Sequence, residues 1–160
     1  MIDAVAILGP TASGKSALAI SLAEELAGEI ISIDSRQVYR GLDIGTSKPT
    51  PREQRAIRHH LIDILDVDEK NSAEKHASLA LAALKDTLSR DRLPILVGGS
   101  GLYWRALFQG FFSIELSEEA RARFERSVRG LPTEELRRRL REVDPESWER
   151  LHSNDRYRIV

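Results

Sequence analysis

"GPTASGKS" runs from Gly9 to Ser16, directly after the apolar run "AVAIL" at Ala4–Leu8. It fits the pattern G-x-x-x-x-G-K-[S/T]. The backbone N–H groups of such a loop curl around an anion at a helix N-terminus, where the dipole adds positive potential. Gly9 and Gly14 let the backbone approach the ligand, and Pro10, Thr11, Ala12 and Ser13 complete the turn. Lys15 reaches the outer phosphate as a point charge, and the Ser16 hydroxyl can ligate Mg²⁺. Four fixed positions between a buried strand and a helix predict a diphosphate- or nucleotide-binding loop at 9–16. The plainer alternative is a chance match in a strand–helix turn.

Working outward, "AVAIL" is almost wholly apolar, as in a strand buried on both faces of a parallel sheet. A helix should start near Gly14, with Leu18, Leu22 and Leu26 as its inner stripe and Gly28 just past its end. "EIISI" (Glu29–Ile33) and "RLPILVGG" (Arg92–Gly99) read as further strands. Between them Ser72 caps a helix whose Ala77, Leu81, Leu84 and Leu88 share a face. Another helix runs through "LYWRALFQ" to Gly110. Strand–helix alternation of this kind predicts a P-loop NTPase-like α/β fold, a parallel sheet flanked by helices. After Phe112 the texture changes. Ser117 reads as an N-cap, Gly130 as a stop, Thr133 as a start and Pro145 as a first-turn residue. We therefore expect a core over 1–112 and a small helical, Arg-rich appendage over 113–160.

The 160 residues carry a net charge of −1, with 41% hydrophobic and 31% charged side chains. That balance supports a packed core and gives no global attraction to nucleic acid. Residues 117–160 differ, with eleven bases, all Arg, against ten acids. There is no Cys, which suits a reducing cytoplasm, and no apolar run approaches the ~18 residues of a membrane span. A cytoplasmic protein with no membrane attachment is the expectation.

Three further stretches bear on chemistry. Asp34, in "IDSRQVYRGLDIGTSKP", lies just past a strand end, on the ligand side of an α/β sheet. It reads either as a Mg²⁺ ligand or general base, or as an Asx-turn residue. "VGGSG" (Val97–Gly101) ends a strand in small residues that would let a ligand approach. Ser100 there serves as a hydrogen-bonding hydroxyl, a helix N-cap, or both. Phosphoryl-transferring P-loop enzymes often place an acidic Mg²⁺ ligand at such a strand end. His59 and His60 are adjacent, so their side chains diverge and cannot chelate one ion well; they read as structural. Tyr103 and Trp104 read as surface and core of one helix, and Arg137–Arg139 as a solvated face beside Glu134 and Glu135.

Together these stretches resemble one family, the tRNA dimethylallyltransferases, also called tRNA isopentenyltransferases. The matching residues are 9–16, "IISIDSRQVYRGLDIGTSKP" (30–49), "HHLIDI" (59–64), "ILVGGSGLYWRAL" (95–107), "ARARFE" (120–125) and "NDRYRIV" (154–160). The resemblance implies transfer of a dimethylallyl group from dimethylallyl diphosphate to N6 of an adenine beside the tRNA anticodon, with pyrophosphate leaving whole. It implies that Lys15, the loop amides and Mg²⁺ on Ser16 neutralise the leaving group, that Asp34 accepts the N6 proton, and that Ser100 sits near the reacting centre. Asp34, Ser35, Arg36, Gln37 and Ser100 would surround the flipped adenine, with Arg121 and Arg158 on the tRNA. The partners implied are the donor diphosphate and the tRNA anticodon stem-loop, met by a monomer. Family members are expected to be about twice this length, so elements that clamp tRNA would lie beyond Val160. A small P-loop kinase, a diphosphate-binding module without turnover, and a prenyltransferase of free adenine nucleotides are the competing readings.

Overall fold

The computed structural model describes residues 4–110 and 117–160. The expected change of texture at Phe112 falls at 111–116, outside the described residues. The chain divides into two compact units, 1–112 and 113–160.

In the first unit, β1 (Val5–Leu8), α1 (Lys15–Glu25), β2 (Gly28–Ser32), α2 (Pro51–Ala56), β3 (His59–His60), α3 (Ala73–Ser89), β4 (Leu93–Gly98) and α4 (Gly101–Gln109) follow in order. The four strands form one parallel sheet in the order β1-β4-β2-β3. The two inner strands are buried almost throughout, as a sheet covered on both faces requires. Alternate residues divide between the faces. Ile31, Ile33 and Leu96 pack with α3 and α4, while Ile30, Ile95 and Val97 pack with α1. Fully burying each such side chain contributes roughly 1.5–3 kcal/mol.

α1, α3 and α4 form where expected, α2 and the two-residue β3 were not expected, and α1 and α3 bury different stripes. On α1 the core face is Ala19 and Ala23, with Ile20 and Leu22 half-buried beside them, and Leu18 and Leu26 are exposed. Small alanines allow close approach to the sheet, and a pattern read from leucines alone rotates the helix. Gly28 is the first residue of β2, and Ala27, at φ 51°, makes the left-handed turn. A Cβ on Gly28 would come within 2.8 Å of Ile95 Cδ1, so close packing sets that glycine. On α3, Ala73, His76, Ala77 and Ala80 face the core, while Leu81 and Leu88 lie on the exposed side. Tyr103 is buried together with Trp104, not on the surface; its ring meets the His76 ring edge-on at 4.9 Å. Ser72 caps α3 by accepting the Lys75 N–H at 3.0 Å.

The second unit holds α5 (Glu118–Val128), α6 (Thr133–Val143), α7 (Pro145–Arg150) and α8 (Arg156–Ile159) around Val128, Leu136 and Ile159. Ser117 caps α5, and Pro145 opens α7 behind the capping Asp144. Arg138 and Arg139 pair with Glu135, and Arg137 and Arg141 flank the Trp148 ring at 5.3 and 4.9 Å. Among the described residues no helix is long and apolar enough to cross a membrane.

Candidate functional site

The phosphate loop, the ends of β2 and β4, and the 46–49 segment enclose one cavity of about 180 Å³. Thr11 through Ser16 line it, with Asp34, Gln37, Gly98 and Gly99, and with Thr46, Ser47, Pro49, His59 and Ile62. Ala19, Ile30 and Val97 add an apolar wall. The lining thus combines anion-binding groups with the edge of the apolar core.

Gly14 makes the loop possible. It stands at the α1 N-cap with φ 84°, in the left-handed region, and no side chain caps the helix. The first amides of α1 are left for a ligand. The Lys15 ammonium donates to the Pro10 carbonyl across the loop, so it is already folded over the cradle. Ser16 is exposed and lines the cavity. Gly9 and Pro10 precede the lining residues; a Cβ on Gly9 would come within 3.2 Å of Ser13 Oγ.

The two glycines after Val97 have a cause the sequence does not show. An ideal Cβ on Gly98 would lie 2.0 Å from the Ile33 carbonyl oxygen, and one on Gly99 would lie 3.0 Å from the Gly9 carbonyl oxygen. The small side chains first admit neighbouring backbone. Access for a ligand follows, since both residues line the cavity.

Asp34 is an Asx-turn residue that also faces the cavity. Its Oδ1 accepts the N–H groups of Arg36 at 2.8 Å and Gln37 at 3.3 Å. The Ser100 hydroxyl does not cap α4; it accepts the Ser35 N–H at 3.3 Å and ties the β4 turn to the β2 turn. Ser35, Arg36 and Ser100 lie beside the cavity residues and not on its lining. Gln37 lines it with its polar atoms in use. Its Oε1 accepts from Ser32 Oγ at 2.8 Å, and its Nε2 donates to the Thr46 and Ser47 carbonyls, each at 3.2 Å. Arg121 and Arg158 belong to the second unit, where they are exposed beside Glu125 and Asp155.

Sequence reasoning used the 42–49 segment only as part of the family resemblance and gave it no place in the site. Thr46, Ser47 and Pro49 form a cavity wall, and Lys48 anchors it from behind with its side chain 2% exposed. The Lys48 ammonium donates to Asp63 at 2.6 Å, Asp43 at 2.7 Å and the Tyr39 carbonyl at 2.9 Å. Burial pushes its pKa down, the bonds to Asp43 and Asp63 more than offset this, and it ends raised. The one signal was a Lys inside a run otherwise suited to a loop.

His59 and His60 point different ways, as adjacent strand residues must. His60 bonds Glu29 at 2.7 Å, at the far end of the sheet. The His59 Nδ1–H donates to the Ile57 carbonyl at 2.8 Å, and burial lowers its pKa, so a neutral imidazole borders the cavity. Among the described residues no three His, Cys, Asp or Glu side chains gather to hold a metal. The Ser16 hydroxyl suits a hard cation that takes its remaining ligands from phosphate and water.

Comparison with known proteins gives the family. The family model for IPP transferase matches residues 37–160. A tRNA dimethylallyltransferase of Halorhodospira halophila is 53% identical over 96% of this chain and 50% of its own length, and one of a Roseiflexus species is 49% identical over 100% and 53%. Among solved structures, the tRNA isopentenylpyrophosphate transferase of Bacillus halodurans is 42% identical with a TM-score of 0.65, covering 97% of this chain and 52% of that one. A eukaryotic dimethylallyltransferase acting on tRNA is 29% identical with a TM-score of 0.83, covering 98% and 39%. The chain spans about half the length of the curated relatives it matches.

Proposed function

The chain belongs to the IPP transferase family, and from that premise we propose that its cavity is the donor site of a prenyl transfer from dimethylallyl diphosphate to N6 of an adenine in a tRNA anticodon loop. The carrying observation is that the phosphate loop and Asp34 line one cavity with an apolar wall. The diphosphate rests on the loop amides and Lys15, and the five-carbon group lies against Ala19, Ile30 and Val97. The donor's carbon–oxygen bond breaks, a carbon–nitrogen bond forms at N6, pyrophosphate departs, and the N6 proton passes to Asp34. Lys15 and the N-terminal amides of α1 act where negative charge grows on the leaving group. Mg²⁺, held by Ser16 and the phosphate oxygens, would supply further charge neutralisation there. Asp34, with Oδ1 fixed by two backbone amides, presents its other oxygen to the amine.

The acceptor must be unstacked to reach this depth, at a cost of roughly a few kcal/mol that contacts to the RNA offset. Arg121 and Arg158 are proposed to supply phosphate contacts, and Ser35, Arg36 and Ser100 to border the entering base. We take the protein to act as a monomer in a cytoplasmic setting, which the absence of Cys suits. The test uses labelled dimethylallyl diphosphate, Mg²⁺ and an anticodon stem-loop RNA. Label on the RNA and free pyrophosphate, both dependent on Lys15, are expected. Lys15-dependent phosphoryl transfer from ATP to a small acceptor would instead make the protein a kinase.

A further inference from the structure

The 42–49 wall is held in a conformation that its own sequence does not favour. Ser47 stands at φ 50°, in the left-handed region where a residue with a Cβ pays a steric cost. Leu42, Asp43, Ile44 and Gly45 are exposed, with Ile44 97% accessible, so no core packing pins the loop. Such a segment persists in one shape only if something over-determines it.

Lys48 is that element. All three N–H donors of its ammonium are used, on Asp43 of the same loop, Asp63 after β3, and the Tyr39 carbonyl. The ammonium is buried while Asp43 and Asp63 stay partly exposed, so the cluster adds little stability, but its three bonds to one ammonium demand one geometry. From Lys48 the contacts continue inward. The Thr46 and Ser47 carbonyls hold the Gln37 amide, and the Gln37 N–H bonds Asp34 Oδ1.

We propose that Lys48 is a positioning residue for the acceptor: through the 46–47 carbonyls and Gln37 it sets where Asp34 stands relative to an adenine entering beside the phosphate loop. This rests on the prenyl-transfer reading of the cavity. The donor cradle makes none of its hydrogen bonds to Lys48, so donor binding and acceptor chemistry should respond separately.

Three measurements test it: pyrophosphate affinity by calorimetry and amide hydrogen exchange across 37–48 on the 160-residue chain, and transfer kinetics with the stem-loop RNA on the chain extended with the family's remaining elements. Lys48→Met leaves Asp43 and Asp63 facing each other uncompensated, so Lys48→Met/Asp63→Asn is made beside it to preserve the fold. The expected result is unchanged pyrophosphate affinity, faster exchange across 37–48, and a rate lowered by ~10²-fold, the effect of misplacing a reacting group by about an ångström. The loss should be non-additive with Gln37→Ala, because both act through one contact chain. Pyrophosphate affinity falling in step with the rate would mean a general structural role and overturn the proposal. So would a wild-type rate, or losses that simply add with Gln37→Ala. An extended wild-type chain that binds pyrophosphate but transfers nothing overturns the parent reading and the acceptor role with it; exchange then still decides whether Lys48 clamps the loop.

Discussion

Asp34 Oδ1 accepts the backbone N–H of Arg36 at 2.8 Å, so one oxygen of the carboxylate that faces the cavity is committed to holding its own turn. The structural and chemical readings of this residue are thus not rivals. The turn orients the side chain, and the second oxygen is what remains for a substrate.

That division separates two substitutions. Asp34→Asn keeps an Oδ1 acceptor, so the turn and the donor site should survive while the rate falls by ~10²–10⁴, the usual weight of a general base. Asp34→Ala removes the acceptor for Arg36 and Gln37 and should disturb the neighbouring wall as well. Steady-state kinetics with calorimetry of donor binding distinguishes them. Collapse of donor affinity in Asp34→Asn, with the saturated rate intact, would assign Asp34 to the cation instead.

Lys15→Ala should weaken pyrophosphate binding by ~2–3 kcal/mol, the range for a lost charge-assisted hydrogen bond. In the structure Lys15 bonds the Pro10 carbonyl, so ligand binding exchanges one oxygen for another and does not require the chain to reorganise. A calorimetric titration that finds equal affinity in both proteins would remove Lys15 from the site.

Much of this arrangement is legible in the sequence, and the losses have identifiable causes. The 9–16 motif, β1, β2, β4 and the α3 and α5 caps could be read because each rests on local chemistry: a glycine at positive φ, an apolar run, a Ser before a helix; β3, two residues at the sheet edge, carries no such signal. The core stripes of α1 and α3 were misplaced because alanines, not leucines, face a closely packed sheet. Gly98 and Gly99 were read for the ligand's sake, whereas the nearest atoms are carbonyl oxygens of Ile33 and Gly9, far away in the chain. Lys48 was given no role because an exposed-looking loop lysine is unremarkable until Asp63, fifteen residues on, and the Tyr39 carbonyl close around it.

The glycine pair gives a graded prediction. Gly98→Ala puts a methyl 2.0 Å from Ile33 O, an overlap that the β2–β4 pairing cannot absorb, so the fold should be lost or the Tm lowered sharply. Gly99→Ala meets Gly9 O at 3.0 Å, where a small shift of the phosphate loop relieves the contact. This variant should fold and bind pyrophosphate more weakly. Thermal melts and calorimetry check both, and a Gly98→Ala protein as stable as wild type would contradict the strand spacing.

Acid should unfold the protein in two stages. His76 is 1% exposed, and its Nε2–H donates to the Ser32 carbonyl at 2.9 Å. Burial lowers its pKa below the ordinary 6.5, so the folded state keeps it neutral. A group whose folded pKa is depressed stabilises above its unfolded pKa, and that contribution is lost as pH falls below 6.5. Glu29 follows at lower pH. The Arg90 guanidinium holds its carboxyl at about 2, against burial, which raises it, with His60 assisting. Its contribution is complete above the ordinary 4.5 and disappears as pH falls towards 2. A shift of this size corresponds to about 3 kcal/mol, and screening at the partly exposed Arg90 reduces it to ~2. Urea denaturation between pH 8 and pH 3 should show stability falling first below pH 6.5 and again below 4.5. Glu29→Gln should flatten the second fall and leave the first. If both declines persist unchanged in that variant, the acid response belongs to other carboxylates and the Glu29–Arg90–His60 cluster does not control it.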